Sequence, residues 1–361
     1  MRVYYITRRR ALRNTAGVKA PSDVSTICKK HGYEEFVMPC FPSDKNKIYQ
    51  KAWLFLSGTY NWVKMEKILE PGSTVIYQHP MYGHRLAEKM IPYIQRKKKV
   101  KFIALIHDLE SLRGGIAGVI KKSVKTSEIS DNALLKRFDV VICHNENMRR
   151  YLIERGFEPE KLINLQIFDY LTDIECKQQK RGEIPSIAIA GNLAIGKCAY
   201  IYNIFADGHN QRLKANIYGI NYQEDKASGN IHYHGAFKAE ELPGKLEGDF
   251  GLVWDGNSAE TCSGNTGEYL RYNNPHKTSL YLASGLPVIV WSQAANADFV
   301  LKNGVGITVD NLHELEERIS AISDEDYKRF KHNAGKLSAK LREGYYTSQA
   351  LEKALNLCEN E

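Results

Sequence analysis

The chain has 361 residues, 43% hydrophobic and 25% charged, an ordinary globular composition that excludes a disordered or fibrous protein. Its length predicts about two domains, and no run approaches the roughly 18 uncharged apolar residues that a membrane-spanning helix needs. The net charge of +8 is uneven, because residues 1–165 hold 30 Lys and Arg against 16 Asp and Glu, and the remainder 20 against 26.

In chain order, Val3–Thr7 reads as a first strand. It precedes Arg8-Arg9-Arg10, and this order of apolar then basic residues is the reverse of a signal peptide, so a cytoplasmic protein is expected. A helix is predicted from Pro21-Ser22-Asp23 toward Gly32, with proline and a capping residue at its entry. Phe36–Pro39 is a short strand, and Ala52–Leu69 one or two helices ended by Pro71-Gly72. Thr74–Gln78 and Val100–Ile106 are buried strands flanking a helix over Lys89–Lys98. Phe138–His144 is a further strand, followed by a helix over Asn145–Arg155. Strands alternating with helices predict a parallel sheet covered on both faces. The pattern restarts after a polar segment near Glu175–Glu183, with strands at Ile187–Ala190, Asn216–Gly219, Ile231–His234, Phe250–Trp254, Pro287–Trp291 and Gly306–Val309. A last helix near Ser348–Cys358 follows. The expected domains are 1–170, 171–345 and a terminal helix, 346–361, that packs on either.

The seven cysteines include no Cys-x-x-Cys pair, so neither a disulfide framework nor a structural zinc site is expected. His232 and His234 alternate on one strand but have no further ligands nearby, so no metal is predicted. Basic clusters at Arg8–Arg10, Arg96–Lys99 and Lys121-Lys122 point the first half toward an anionic partner, although solvated helix ends explain them equally.

Ligands of open parallel sheets sit past the carboxyl ends of strands. In the first half those positions include Asn14, Thr15 and Gly17, then His79, His107 with Asp108 and Glu110, and His144. In the second they include Gly191-Asn192 with Lys197, Gly219, and Asp255-Gly256. A glycine turn admits an anion to backbone N–H groups, and Lys197 adds charge; an ordinary turn looks the same. Neither a Walker A motif nor Gly-x-Gly-x-x-Gly is present. The segment Asn273-Asn274-Pro275-His276-Lys277-Thr278-Ser279 reads as a helix entry capped near Asn274, where free amides, the helix dipole, a cation and two hydroxyls could cradle a diphosphate. A plain capped helix has a similar outline.

The stretch from Pro275 to Ile289, with Gly248–Trp254 and Ile106-His107-Asp108, resembles the GT-B glycosyltransferases, and more narrowly the bacterial galactofuranosyltransferases and the glucosyltransferases that act on serine-rich-repeat adhesins. Leu109–Arg113 looks closer to the galactofuranosyltransferases. The resemblance implies an α/β fold of two Rossmann-like domains with parallel sheets facing a central cleft, a UDP-sugar in the C-terminal domain and the acceptor in the N-terminal one. It places Gly191, Asn192 and Lys197 near the diphosphate, Tyr218 near uracil or ribose, and Lys277, Thr278 and Ser279 on the diphosphate, with Asn274 shaping that loop. No cofactor or metal is implied, since helix dipole and lysine replace it. Retaining members often carry a Glu three residues after the Lys; here that position is Leu280, so an inverting reaction is expected. Its general base would be Asp108, with Glu110 and His107 as alternatives. Asp255 is a candidate for donor hydroxyls, and Asn14, Thr15, Gly17 and His79 for the acceptor.

The expected enzyme therefore moves galactofuranose or glucose from a UDP-sugar to a hydroxyl of a growing glycan, lipid-linked or protein-linked. A lipid-linked acceptor would fit a peripheral enzyme at an anionic membrane face; a homo-oligomer is permitted. The rivals are a nucleotide-sugar epimerase and a nucleic-acid-binding protein using the basic half. The latter leaves the cradle unexplained, so nucleic acid is not the expected partner.

Overall fold

The computed structural model describes residues 2–8, 16–39, 45–81, 83–115, 129–177, 180–226 and 229–360. Two compact units emerge: Met1–Arg13, Pro21–Leu165 and Thr347–Glu361 form one, Asn14–Ala20 and Gln166–Tyr346 the other.

The first unit holds β1 (Val3–Arg8), β2 (Glu34–Met38), β3 (Thr74–His79), β4 (Lys101–Ile106), β5 (Val140–Cys143) and β6 (Leu162–Asn164). They form one parallel sheet in the order β2-β1-β3-β4-β5-β6. β3 and β5 are buried throughout, and β4 from Phe102 to Ile106, as expected of strands covered on both faces. β6 was not predicted, because three residues are too few to show a period. The Lys47–Ile68 helix is single and starts earlier than expected, with Asn46 accepting from the Tyr49 amide at 2.9 Å.

A second correction concerns the helix placed at Pro21. It runs from Ala16 to Lys30 with the proline inside. A proline forfeits one backbone bond, and the neighbouring bonds can still carry the helix past it. The division between units falls at this proline: the Lys19 ammonium donates to the Leu171 carbonyl at 2.6 Å, within the second unit.

The second unit holds β7 (Ser186–Asn192), β8 (Lys214–Ile220), β9 (Ile231–Tyr233), β10 (Phe250–Val253), β11 (Val288–Trp291) and β12 (Gly306–Val309). These too are parallel, in the order β12-β11-β10-β7-β8-β9. Apolar clusters cover both faces: Ile187, Ile189, Leu252 and Trp254 lie in one, Ala188, Ala190, Val253 and Tyr281 in the other. Alternation along β7 and β10 assigns successive side chains to opposite faces. The closing helix, Tyr345–Asn360, passes into the first unit, where Ser348 Oγ lies 3.0 Å from His31 Nε2.

Asp249 ties the entry of β7 to that of β10. Its buried carboxylate accepts from the Ser186 amide and hydroxyl, each at 2.8 Å, and from the Gly182 amide at 3.1 Å. Asp249→Ala strands these donors; thermal unfolding should show a loss of about 3 kcal/mol, a fall in Tm on the order of 5–10 °C.

Candidate functional site

In the second sheet, strand order reverses between β7 and β10. Open parallel sheets bind ligands at the carboxyl ends flanking such a reversal. Here those ends carry Gly191-Asn192 and Trp254-Asp255. Gly191 has φ +138 and pairs with Gly219, at φ +148. A Cβ on Gly219 would lie 1.8 Å from the Gly191 carbonyl oxygen, so only glycine lets the two strands end this close together.

Lys277 enters this corner from the first turn of the His276–Ala283 helix, its Cε 3.8 Å from where a Cβ on Gly191 would stand. Its Nζ donates to the Trp254 carbonyl at 2.8 Å and to Asp255 Oδ1 at 2.6 Å. Lys197 Nζ lies 3.9 Å from Asp255 Oδ2, and the Lys197 carbonyl accepts from the Gly256 amide at 2.7 Å. Burial works against the Lys277 charge, but the Asp255 carboxylate more than offsets it and holds the ammonium above its ordinary pKa. Two lysines share one carboxylate, leaving the corner with one net positive charge beside a helix N-terminus.

Other expected residues cluster around this corner in different roles. Asn192 Oδ1 accepts from the Ala194 amide at 3.1 Å and from Asn221 at 2.8 Å, which shapes the turn. Pro275, not Asn274, is the residue that precedes the helix; Asn274 instead donates to the Gln166 carbonyl at 3.0 Å. Thr278 and Ser279 are buried: Thr278 Oγ1 accepts from Asn296 at 2.9 Å, and Ser279 Oγ donates to the Phe168 carbonyl at 2.7 Å. Their hydroxyls thus anchor the helix. Tyr218 is buried, stacks on His234 with centroids 4.6 Å apart, and its hydroxyl accepts from the Glu247 amide at 3.0 Å. His234 and His232 each meet an asparagine oxygen, of Asn216 at 3.0 Å and Asn230 at 2.8 Å. Asn221 and Asn296 escaped sequence reasoning, because isolated asparagines carry no motif.

In the first unit, the order reverses between β1 and β3. Asn14 and Thr15, which follow β1 in the chain, lie outside the described residues; Gly17 is in the Ala16–Lys30 helix, in the segment that groups with the second unit. His79 ends β3 fully buried, Nε2 2.9 Å from Asp131 Oδ1, and the other Asp131 oxygen accepts from the Ser111 amide at 2.6 Å. His107 Nε2 meets Gln78 Oε1 at 2.8 Å, and the His107 amide donates to the His79 carbonyl at 2.7 Å. Asp108 is half-buried and accepts from Arg113 at 3.0 Å; Glu110 opens the next helix, exposed. The loop after β4 that bears Asp108 is therefore pinned from β3 and from Asp131. Asp131 lies 52 positions from His79, and no local pattern announces it.

The profile of the glucosyltransferase 3-like N-terminal domain matches residues 3–167, and that of the C-terminal domain residues 187–354. The chain belongs to the glucosyltransferase 3-like family. It is 34% identical to the beta-1,6-galactofuranosyltransferase WbbI of Escherichia coli strain K12, over 98% of each chain, and 26% identical to glucosyltransferase 3 of Streptococcus gordonii, over 93% of each. Among solved structures it is similar to the lipopolysaccharide outer core galactosyltransferase WaaB (TM-score 0.62, 10% identity, 99% of each chain) and to Anabaena HepE in complex with UDP and glucose (TM-score 0.60, 11% identity, 99% of each). These likenesses show the GT-B fold, and the family makes the protein a glycosyltransferase. No helix among the described residues of this family member is long and apolar enough to cross a membrane.

Two buried histidines give the fold a pH signature: His144, which follows β5, and His276, which opens the helix bearing Lys277. Burial pushes His144 down to about 4, against the pull of its bonds to the Ile106 and His107 backbone. Between that value and an unfolded pKa of about 6.5 the unfolded chain binds more protons, so stability falls as pH drops through this window, by up to about 1.4 kcal/mol per unit for one histidine. Denaturant titrations from pH 7 to pH 4 should show this slope; burial pushes His276 down to about 4 as well and adds a like share, so His144→Gln should reduce the slope by about half.

Proposed function

We propose that this glycosyltransferase moves a hexosyl group from a UDP-sugar to a hydroxyl of a growing glycan, with inversion and without a bound metal. The observation that carries the reading is the corner at the β7–β10 reversal, where Lys277, Lys197 and a helix N-terminus surround a glycine turn. A nucleotide diphosphate matches it in charge. When the bond between the anomeric carbon and the phosphate oxygen breaks, the charge that develops on departing UDP would be met by the same lysines and amides. The acceptor hydroxyl would attack from the opposite face, its proton passing to Asp108, with Glu110 and His107 as the alternative bases. The galactofuranosyltransferase relative supports galactofuranose as the donor sugar, and a β-1,6 linkage; the streptococcal relative keeps glucose as the competing donor. Tyr218 is assigned to the uridine side, and the 14–17 segment to the acceptor side.

A thermal-shift panel with UDP, UDP-glucose, UDP-galactofuranose, GDP, ADP and NAD tests the donor. Uridine nucleotides at about a hundred times Kd should stabilise the protein by roughly 2.7 kcal/mol, with or without EDTA. Lys277→Ala should abolish the shift, and no shift with any uridine nucleotide would overturn the reading. Asp108→Asn tests the base: kcat should fall by a factor on the order of 100 to 10,000 while the UDP shift persists. An unchanged kcat would move the role to Glu110 or His107.

A further inference from the structure

Residues 166–171 belong to the second unit and form neither helix nor strand, yet Ile167, Phe168, Asp169 and Tyr170 are all buried. Buried carbonyls outside a helix or sheet need donors from elsewhere, and here side chains supply them. Asn274 Nδ2 donates to the Gln166 carbonyl at 3.0 Å, Ser279 Oγ to that of Phe168 at 2.7 Å, and the Lys19 ammonium to that of Leu171 at 2.6 Å. The His276 ring donates to the Asp169 carbonyl. Three of these four donors stand at the entry of the helix that carries Lys277. The segment they grip is held from elsewhere in the same unit too. The Tyr170 amide donates to the Leu341 carbonyl at 3.1 Å and its hydroxyl to the Ala239 carbonyl at 2.6 Å, while Asp169 Oδ1 accepts from the Tyr346 amide at 3.2 Å.

His276 has one orientation and one proton. Its ring lies against Phe168 and Tyr170, with centroids 6.1 and 5.1 Å away. Burial and the Lys19 ammonium hold the imidazole neutral at pH 7. Nε2 is buried and meets no partner among the described residues, so the single proton sits on Nδ1 and points to the Asp169 carbonyl. Amides at a helix N-terminus hold an anion only where the helix entry places them. Here Asn274, His276 and Ser279 are each spent on a carbonyl of residues 166–171, which places that entry.

We propose, on the reading that this helix entry receives a nucleotide diphosphate, that His276 is a positioning residue for the donor. Its Nδ1–H, together with Asn274 and Ser279, pins the first helical turn to residues 166–171 and so sets where Lys277 and the helix amides meet the diphosphate. Asparagine carries an N–H near the place of Nδ1 and glutamine near that of Nε2, so the two variants separate this bond from loss of the ring. In calorimetric titrations well below the melting temperature, H276Q should bind UDP about tenfold more weakly, and H276N within about threefold of the wild type. The KM for the UDP-sugar should rise by a similar factor in H276Q while kcat changes little. S279A should also weaken UDP several-fold, and it carries the test if H276Q does not fold. UDP affinity unchanged in H276Q overturns the proposal, and so does an H276N protein as weak as H276Q. Loss in S279A alone would put that hydroxyl on the diphosphate and overturn it too. A wild-type protein that ignores UDP is a separate failure, that of the donor reading itself.

Discussion

A buried carboxylate allows two lysines to occupy one corner of the second unit. Without Asp255, Lys277 and Lys197 would repel across a partly buried space, and Lys277 would face the desolvation that pushes a buried amine toward neutrality. With it, Lys277 stays charged and fixed, held also by the Trp254 carbonyl. Asp255 can occupy that place because β10 ends there, next to β7, and because Gly191 and Gly219 leave the opposite wall free of side chains. Sheet order, two glycines and one ion pair thus converge on a single site, and the second lysine, Lys197, leaves a surplus of positive charge where an anionic ligand would enter.

The first unit solves a different problem with neutral and paired polar groups. Gln78 and His79 at the end of β3 are buried, and each spends its side chain on a neighbour: Gln78 accepts at Oε1 from His107 in one ring tautomer and donates to Ser25 at 3.0 Å, and His79 meets Asp131. Buried polar groups bonded in this way hold a loop in one geometry, because each unmade bond would cost a desolvated donor or acceptor. What they hold is the turn carrying Asp108, on which an acceptor-side base would depend.

How much of this was legible in the sequence follows from the range of each interaction. Runs such as Phe102–Ile106 and Val288–Val290 announce buried strands by composition alone, and their alternation with helices announces the parallel sheets. Lys277 was legible because proline, polar residues and a following apolar stretch mark a helix entry. The start of the helix at Ala16 was not, since Pro21 imitates an N-terminus that the packing of Lys19 on Leu171 overrides. Thr278 and Ser279 looked like ligand hydroxyls, but their partners, Asn296 and the Phe168 carbonyl, lie 18 and 111 positions away and only tertiary structure brings them near. Asp131 was invisible for the same reason.

The position three residues beyond Lys277 bears on the reaction itself. Leu280 is buried and belongs to an apolar cluster with Tyr281, Leu286 and Val288. A carboxylate there would face desolvation among aliphatic side chains without a partner, so the position as built suits packing better than the gripping of a sugar. Nearby acids are already engaged: Asp255 by Lys277, and Glu268 by Arg271 at 2.8 Å. On the proposed reading, then, neither the Leu280 position nor these two acids offers a free carboxylate to the donor sugar. That favours the proposed displacement, in which the acceptor hydroxyl supplies the nucleophile directly.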